Sequence, residues 1–167
     1  MAETEKKLAR LKEIDRDIVH LEHIIAAMDW DQQTYMPAAS SDARADQLAL
    51  LESVAHQRNT SSEIGELLGF LGADDEHPEG TTESLGERDR AFVREVYRRY
   101  SKLVKLPETL VTAFARERSR AQSVWVKAKG ENNFPAFSPN LERLIGLCRE
   151  IAECYGYSEH IYDALLD

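Results

Sequence analysis

Leu8, Leu11, Ile14, Ile18, Leu21, Ile25 and Met28 recur at steps of three and four along the start of the chain. That spacing keeps one apolar stripe on one side of a helix, predicted from about Thr4 to Asp29. A strict three-four rhythm suits near-antiparallel packing against other helices. Tyr35-Met36-Pro37 breaks the pattern, because Pro37 disfavours a helical conformation at Met36. Ser40 or Ser41 then caps a second helix to about Arg58, with Ala43, Leu48, Leu51, Val54 and Ala55 facing inward. Thr60-Ser61-Ser62-Glu63 reads as a capping box, opening a short third helix through Ile64, Leu67, Leu68 and Leu71.

From Gly72 to Gly86 the chain turns acidic and rich in Gly, Thr and Ser, which predicts a solvated flexible loop at 72–86. A fourth helix is expected from about Arg88 to Lys105, carrying Phe92, Val93, Val96, Tyr100, Leu103 and Val104. Pro107 fits the first turn of a fifth, which bears Leu110, Val111, Phe114, Ala121, Val124, Trp125 and Ala128 and is capped by Gly130. Ser138-Pro139 predicts the start of a sixth, with Leu141, Leu144, Ile145, Cys148, Ile151 and Ala152, ended by Tyr155-Gly156-Tyr157. Tyr162 to Asp167 begins a further short segment. No stretch alternates with strand period and no internal repeat occurs. The expected fold is all-α: an antiparallel bundle of about six helices with a long N-terminal helix, forming a single helical domain over residues 1–167.

Composition agrees: 167 residues, 43% hydrophobic and 31% charged, describe one globular domain rather than a disordered or fibrous chain. No apolar run approaches the roughly 20 residues that span a bilayer, so no membrane association is expected. The residues after Met1 lead into an amphipathic pattern rather than an apolar signal core. Two cysteines, Cys148 and Cys154, supply no disulfide framework, so the expected compartment is the cytoplasm.

The net charge of -9 conceals a polarised chain. Residues 59–87 hold eight acids and no Lys or Arg, whereas residues 88–129 hold twelve basic residues against four acids. A basic stretch of this kind suits nucleic acid, an acidic partner or another part of a larger protein, or simply the solvated sides of helices beside acidic neighbours. The overall negative charge would repel phosphate at long range, so no nucleic-acid partner is expected.

Candidate chemistry is sparse. A zincin site needs H-E-x-x-H, and the five histidines, His20, His23, His56, His77 and His160, contain no such match. His20 and His23 have metal-compatible spacing, but the apolar stripe puts both on the outer side of the first helix. Ferritin-like Glu-x-x-His pairs on two helices are likewise missing. Asp29 and Asp31 flank Trp30; as an acid and base they would need burial and separated pKa values, whereas as structure Trp30 buries its ring and the aspartates serve the following turn. Cys148 and Cys154 read as small buried apolar residues rather than nucleophiles. Arg118 interrupts the apolar face of the fifth helix, as a buried ion-pair partner or a functional cation. No residue is assigned a catalytic, cofactor-binding or metal-binding role.

Several segments together resemble the N-terminal part of the carboxypeptidase Taq family, also called thermostable carboxypeptidase 1. They are Met28-Asp29-Trp30-Asp31-Gln32-Gln33-Thr34-Tyr35-Met36-Pro37, Ala43-Arg44-Ala45-Asp46-Gln47-Leu48-Ala49, Lys105-Leu106-Pro107-Glu108, Ala121-Gln122-Ser123-Val124-Trp125, Asn133-Phe134-Pro135-Ala136-Phe137 and the ending from His160 to Asp167. The resemblance implies a largely helical, cytoplasmic, often dimeric zinc metallocarboxypeptidase that removes residues from peptide C-termini. In that family the H-E-x-x-H helix and the third metal ligand lie downstream of the part resembled here, and the N-terminal third supplies helices that wall the substrate groove. Zinc is therefore expected only in the full-length family protein, and this chain alone is expected to be inactive. Its expected partner is the remainder of the metallocarboxypeptidase, or a second copy through exposed apolar surface; the competing reading is a stand-alone helical adaptor.

Overall fold

The computed structural model describes residues 2–166. Six α-helices follow in order: α1 (Ala2–Thr34), α2 (Ser41–Asn59), α3 (Ser62–Phe70), α4 (Glu87–Leu103), α5 (Glu108–Gly130) and α6 (Phe134–Tyr155). Two short 3₁₀ turns, Ala38–Ser40 and Ile161–Leu165, complete the regular structure, and no strand occurs among the described residues. The all-helical class and the long first helix are as the periodicity requires. The chain divides into two compact units: Met1–Glu22 with Ala55–Lys105, and His23–Val54 with Leu106–Asp167.

The first unit is built on leucine and isoleucine. Leu8, Leu11, Ile14 and Ile18 of α1 enter one cluster with Ile64, Leu67 and Leu68 of α3 and Val93 and Val96 of α4. Burying such side chains supplies roughly 1.5–3 kcal/mol each, which makes this cluster the main stabilising feature of the unit. Polar contacts sit at its edge: Arg10 grips Glu63 at 2.7 Å, Lys12 meets Asp89, and Arg99 bridges Asp15 and Asn59. α3 starts at an N-cap Ser61 whose side chain caps nothing, so the expected capping box does not form. Its two side chains are engaged elsewhere: Thr60 Oγ1 donates to the His56 carbonyl at 2.8 Å, and Glu63 accepts from Arg10.

The acidic segment between α3 and α4 folds back on the leucine cluster. Ala73 and Leu85 are buried in it, and the Leu71 carbonyl accepts from both the amide and the hydroxyl of Thr82. Arg90 donates to the carbonyls of Gly80 and Thr82. The Asp74 carboxylate accepts the amides of Glu76 and His77, and these bonds to its charged form hold its pKa below the usual range. Desolvation, with a hydrogen bond to Asp75, pushes Tyr97 up to about 12. Gly80 has φ +80°, and a Cβ there would stand 2.6 Å from the Leu71 carbonyl oxygen. Gly80→Ala is expected to cost about 1–3 kcal/mol, read as a lowered urea midpoint; an unchanged midpoint would show that the turn relaxes freely.

The second unit is packed differently. Its buried apolar residues are largely alanines, Ala45, Ala49, Ala115, Ala121, Ala128 and Ala152, joined by Ile25, Leu48, Leu106 and Leu110. Small side chains bury little area, and polar contacts between helices accompany them. Ser41 pairs with Ser123, Asp42 with Arg120, Asp46 with Arg116 and Ser53 with Glu108, so α2 and α5 run antiparallel in register. Glu117 of α5 accepts from Asn140 and Arg143 of α6.

Three expectations in this unit change. α6 begins at Phe134 with Asn133 as its cap, whose side chain accepts the Ala136 amide, and Pro139 lies inside the helix. Asn133 with Pro135 in the first turn is the stronger start signal, so Ser138-Pro139 is passed over. Trp30 is 60% exposed rather than buried. Cys148 and Cys154 are free thiols, both only half-buried, because α6 is covered on one side only.

Candidate functional site

The residues with the densest polar chemistry lie where the last turns of α1 meet α2 and α5, inside the second unit. The apolar stripe of α1 ends at Met28, yet the helix continues to Thr34. Hydrogen bonds take over from apolar contact there. Arg44 of α2 donates to the Met28 carbonyl and to Asp31 Oδ2, the latter at 2.6 Å. Gln32 and Ser119 form a reciprocal pair, Nε2 to the Ser119 carbonyl at 2.8 Å and Ser119 Oγ to Gln32 Oε1 at 2.9 Å. Arg118 donates to Asp29 Oδ2 at 2.9 Å and lies 3.7 Å from Glu52. Pro37 then ends the helix, after the Tyr35 and Met36 amides have both closed on the Asp31 carbonyl.

Two clefts open beside this cluster. One, of about 250 Å³, is lined by Asp29, Gln32, Gln33, Arg118, Ser119 and Gln122. The other, of about 260 Å³, runs from Asp31 and Tyr35 to Arg44 and Gln47. Trp30 and Tyr35 stand exposed nearby as an edge-to-face pair with ring centroids 5.5 Å apart. A third cleft, of about 360 Å³, lies at the α5–α6 corner between Trp125, Phe134 and Phe137.

Asp29 and Asp31 therefore serve as interhelical anchors, not as residues of the following turn. Each is held by a guanidinium of a neighbouring helix, Asp29 by Arg118 and Asp31 by Arg44. Arg118 is the ion-pair partner, but it is exposed rather than buried. The basic stretch is explained in part by these contacts: Arg116, Arg118 and Arg120 each face an aspartate of α1 or α2. Sequence reasoning missed Arg44; its signal was an arginine near the start of α2, set between Asp42 and Asp46.

The histidines are dispersed. His20 and His23 are exposed on α1, His56 is buried with Nδ1 unpartnered, and His77 sits beside Asp74. His160 caps the last 3₁₀ turn by accepting the Tyr162 amide, while Asp163 accepts the His160 amide. Among the described residues no group of three or more His, Cys, Asp or Glu is placed to hold a metal ion.

Residues 10–167 match the family described as Carboxypeptidase Taq (M32) metallopeptidase. The chain belongs to that family. It is 32% identical over 150 residues to Carboxypeptidase 1 of Bacillus subtilis, a match that covers 90% of this chain and 28% of that protein. It is 33% identical over 169 residues to Thermostable carboxypeptidase 1 of Thermus thermophilus, covering 94% of this chain and 32% of that protein. The crystal structure of BsuCP superposes with a TM-score of 0.87 at 30% identity, over 97% of this chain and 31% of the other. The chain thus spans less than a third of the length of these M32 relatives. The stretch from Met28 to Pro37 that carries the resemblance is the same one that locks α1 to α2 and α5.

Proposed function

We propose that the chain is the N-terminal helical region of a zinc-dependent metallocarboxypeptidase that removes C-terminal residues from peptides. In this reading it walls the substrate groove and takes no part in the chemistry. The observation that carries it is the family match over residues 10–167 in a chain whose sequence contains no H-E-x-x-H. When bound, zinc in such an enzyme activates a water and polarises the scissile carbonyl. The residues here offer positioning instead: the Gln32, Gln33 and Gln122 amides and the Arg118 guanidinium line a cleft with donors and acceptors suited to a peptide backbone. A cytoplasmic setting accords with two free thiols. No described helix is long and apolar enough to cross a membrane.

The test uses the purified chain. Elemental analysis is expected to find no stoichiometric zinc, and incubation with a peptide is expected to release no amino acid. Tight zinc together with release of C-terminal residues would overturn the non-catalytic assignment. The second reading, a helical interaction module acting alone, draws on the exposed Trp125, Val126 and Phe134. Co-purification with an H-E-x-x-H polypeptide supports the first reading, and specific capture of an unrelated protein supports the second.

A further inference from the structure

Trp30 and Tyr35 form a corner at the end of α1. Trp30 is 60% and Tyr35 76% exposed, and their ring planes meet at 62° with centroids 5.5 Å apart. The backbone that carries them is fixed: Thr34 Oγ1 donates to the Trp30 carbonyl at 2.8 Å, and the Tyr35 and Met36 amides close on the Asp31 carbonyl at 2.9 and 3.0 Å. Three other rings of this chain carry a lysine of their own. Lys7 lies 4.8 Å from the Phe70 centroid, Lys12 5.8 Å from Phe92 and Lys129 4.7 Å from Trp125. Among the described residues no Lys or Arg stacks on Trp30 or Tyr35, although the face of an indole attracts a cation more strongly than that of a phenyl ring. A carboxylate accompanies the rings, since Asp31 and Tyr35 line one cleft of about 260 Å³. Arg44 is engaged by Asp31 Oδ2 and the Met28 carbonyl. Its side chain is 13% exposed against 41% for Asp31, so the acid rather than the guanidinium is turned to solvent.

We infer that this corner binds the cationic side chain of a basic residue in a peptide, arginine above all. A guanidinium is planar and weakly hydrated, so it lies on an aromatic face while its edge N–H groups reach a carboxylate. Trp30 and Tyr35 supply the faces, and the second oxygen of Asp31 supplies the acceptor. The net charge of -9 draws cationic peptides toward the chain and turns acidic ones away. An anionic side chain at the corner would meet Asp31 as a like charge, and a neutral one would use the rings alone. The inference goes beyond the functional reading and does not depend on it, because it needs only a ligand that carries a basic residue.

The experiment follows the indole N–H signals of the isotope-labelled chain by NMR. Trp30 and Trp125 are its two tryptophans, and Trp125→Phe assigns the signals by removing one. The probe is a capped glycine–arginine–glycine tripeptide, and the control carries citrulline, the neutral isostere, in place of arginine. The Trp30 signal is expected to shift saturably with the arginine peptide, and the citrulline peptide to bind about tenfold more weakly. The Trp125 signal, with Lys129 already over its ring, is expected to stay in place. Equal binding of the two peptides overturns the cationic class. Joint movement of both indoles, or no saturable shift, overturns the site. Tyr35→Ser removes one wall at a largely exposed position, and is expected to leave the urea midpoint unchanged while bringing the two peptides to near-equal binding. A preference for arginine that survives this substitution places the cation elsewhere and overturns the corner. The titration of the unsubstituted chain decides the matter if the variant does not fold. Zinc content and release of amino acids test the functional reading and are scored separately, so either idea can fail alone.

Discussion

Leu11→Ala is expected to destabilise the first unit by about 2–5 kcal/mol, the range for truncating a fully buried leucine. Leu11 has no exposed surface and lies in the cluster that joins α1, α3 and α4. Removing its isobutyl group forfeits the transfer free energy and leaves a cavity, because Leu8, Ile14, Leu68 and Val93 are held by their own helices and close the gap only in part. Urea unfolding followed by far-UV circular dichroism measures the loss. Leu50→Ala is the control: Leu50 is 65% exposed, and its truncation is expected to change stability by less than about 0.5 kcal/mol. Equal midpoints for the two variants would mean that the α1 stripe is not the core of this unit.

Arg44→Met carries the second-largest expected effect, about 1–3 kcal/mol, because it strips a donor from two acceptors at once. The Arg44 side chain is only 13% exposed, and methionine keeps much of its aliphatic stem while leaving Asp31 and the Met28 carbonyl without their guanidinium. Arg120→Met sets the scale. Its partner Asp42 is 85% exposed, and such surface pairs contribute about 0–1 kcal/mol. A double cycle of Asp31→Asn with Arg44→Met isolates the coupling between the two charges. If Arg44→Met proves no more costly than Arg120→Met, the end of α1 is held by something other than this contact.

These two substitutions mark the boundary of what was legible in the sequence. The stripe from Leu8 to Ile25 declares its helix because apolar periodicity is a local property, and the same holds for Ile64, Leu67 and Leu68 of α3. Past Met28 the signal fades although the helix does not, because Asp31, Gln32 and Asp29 are satisfied by Arg44, Ser119 and Arg118, and Ser119 and Arg118 lie nearly ninety positions away in the chain. Polar residues that bond across helices look identical, in sequence, to polar residues that face water. The exposed Trp30 and the half-buried Cys148 fail in the opposite sense, since apolar character says that a side chain seeks cover and not that its own unit supplies it.

By itself the sequence determined the helical class, the long first helix, the leucine core of the first unit and the resemblance to the M32 family, since each depends on residue type and spacing along one segment. The tertiary structure alone decided the pairing of Asp29 and Asp31 with arginines, the antiparallel register of α2 and α5, and the true start of α6. Those features are set by which helices meet and at what height, and hydrogen-bond and burial free energies depend on the groups that meet rather than on their order in the chain.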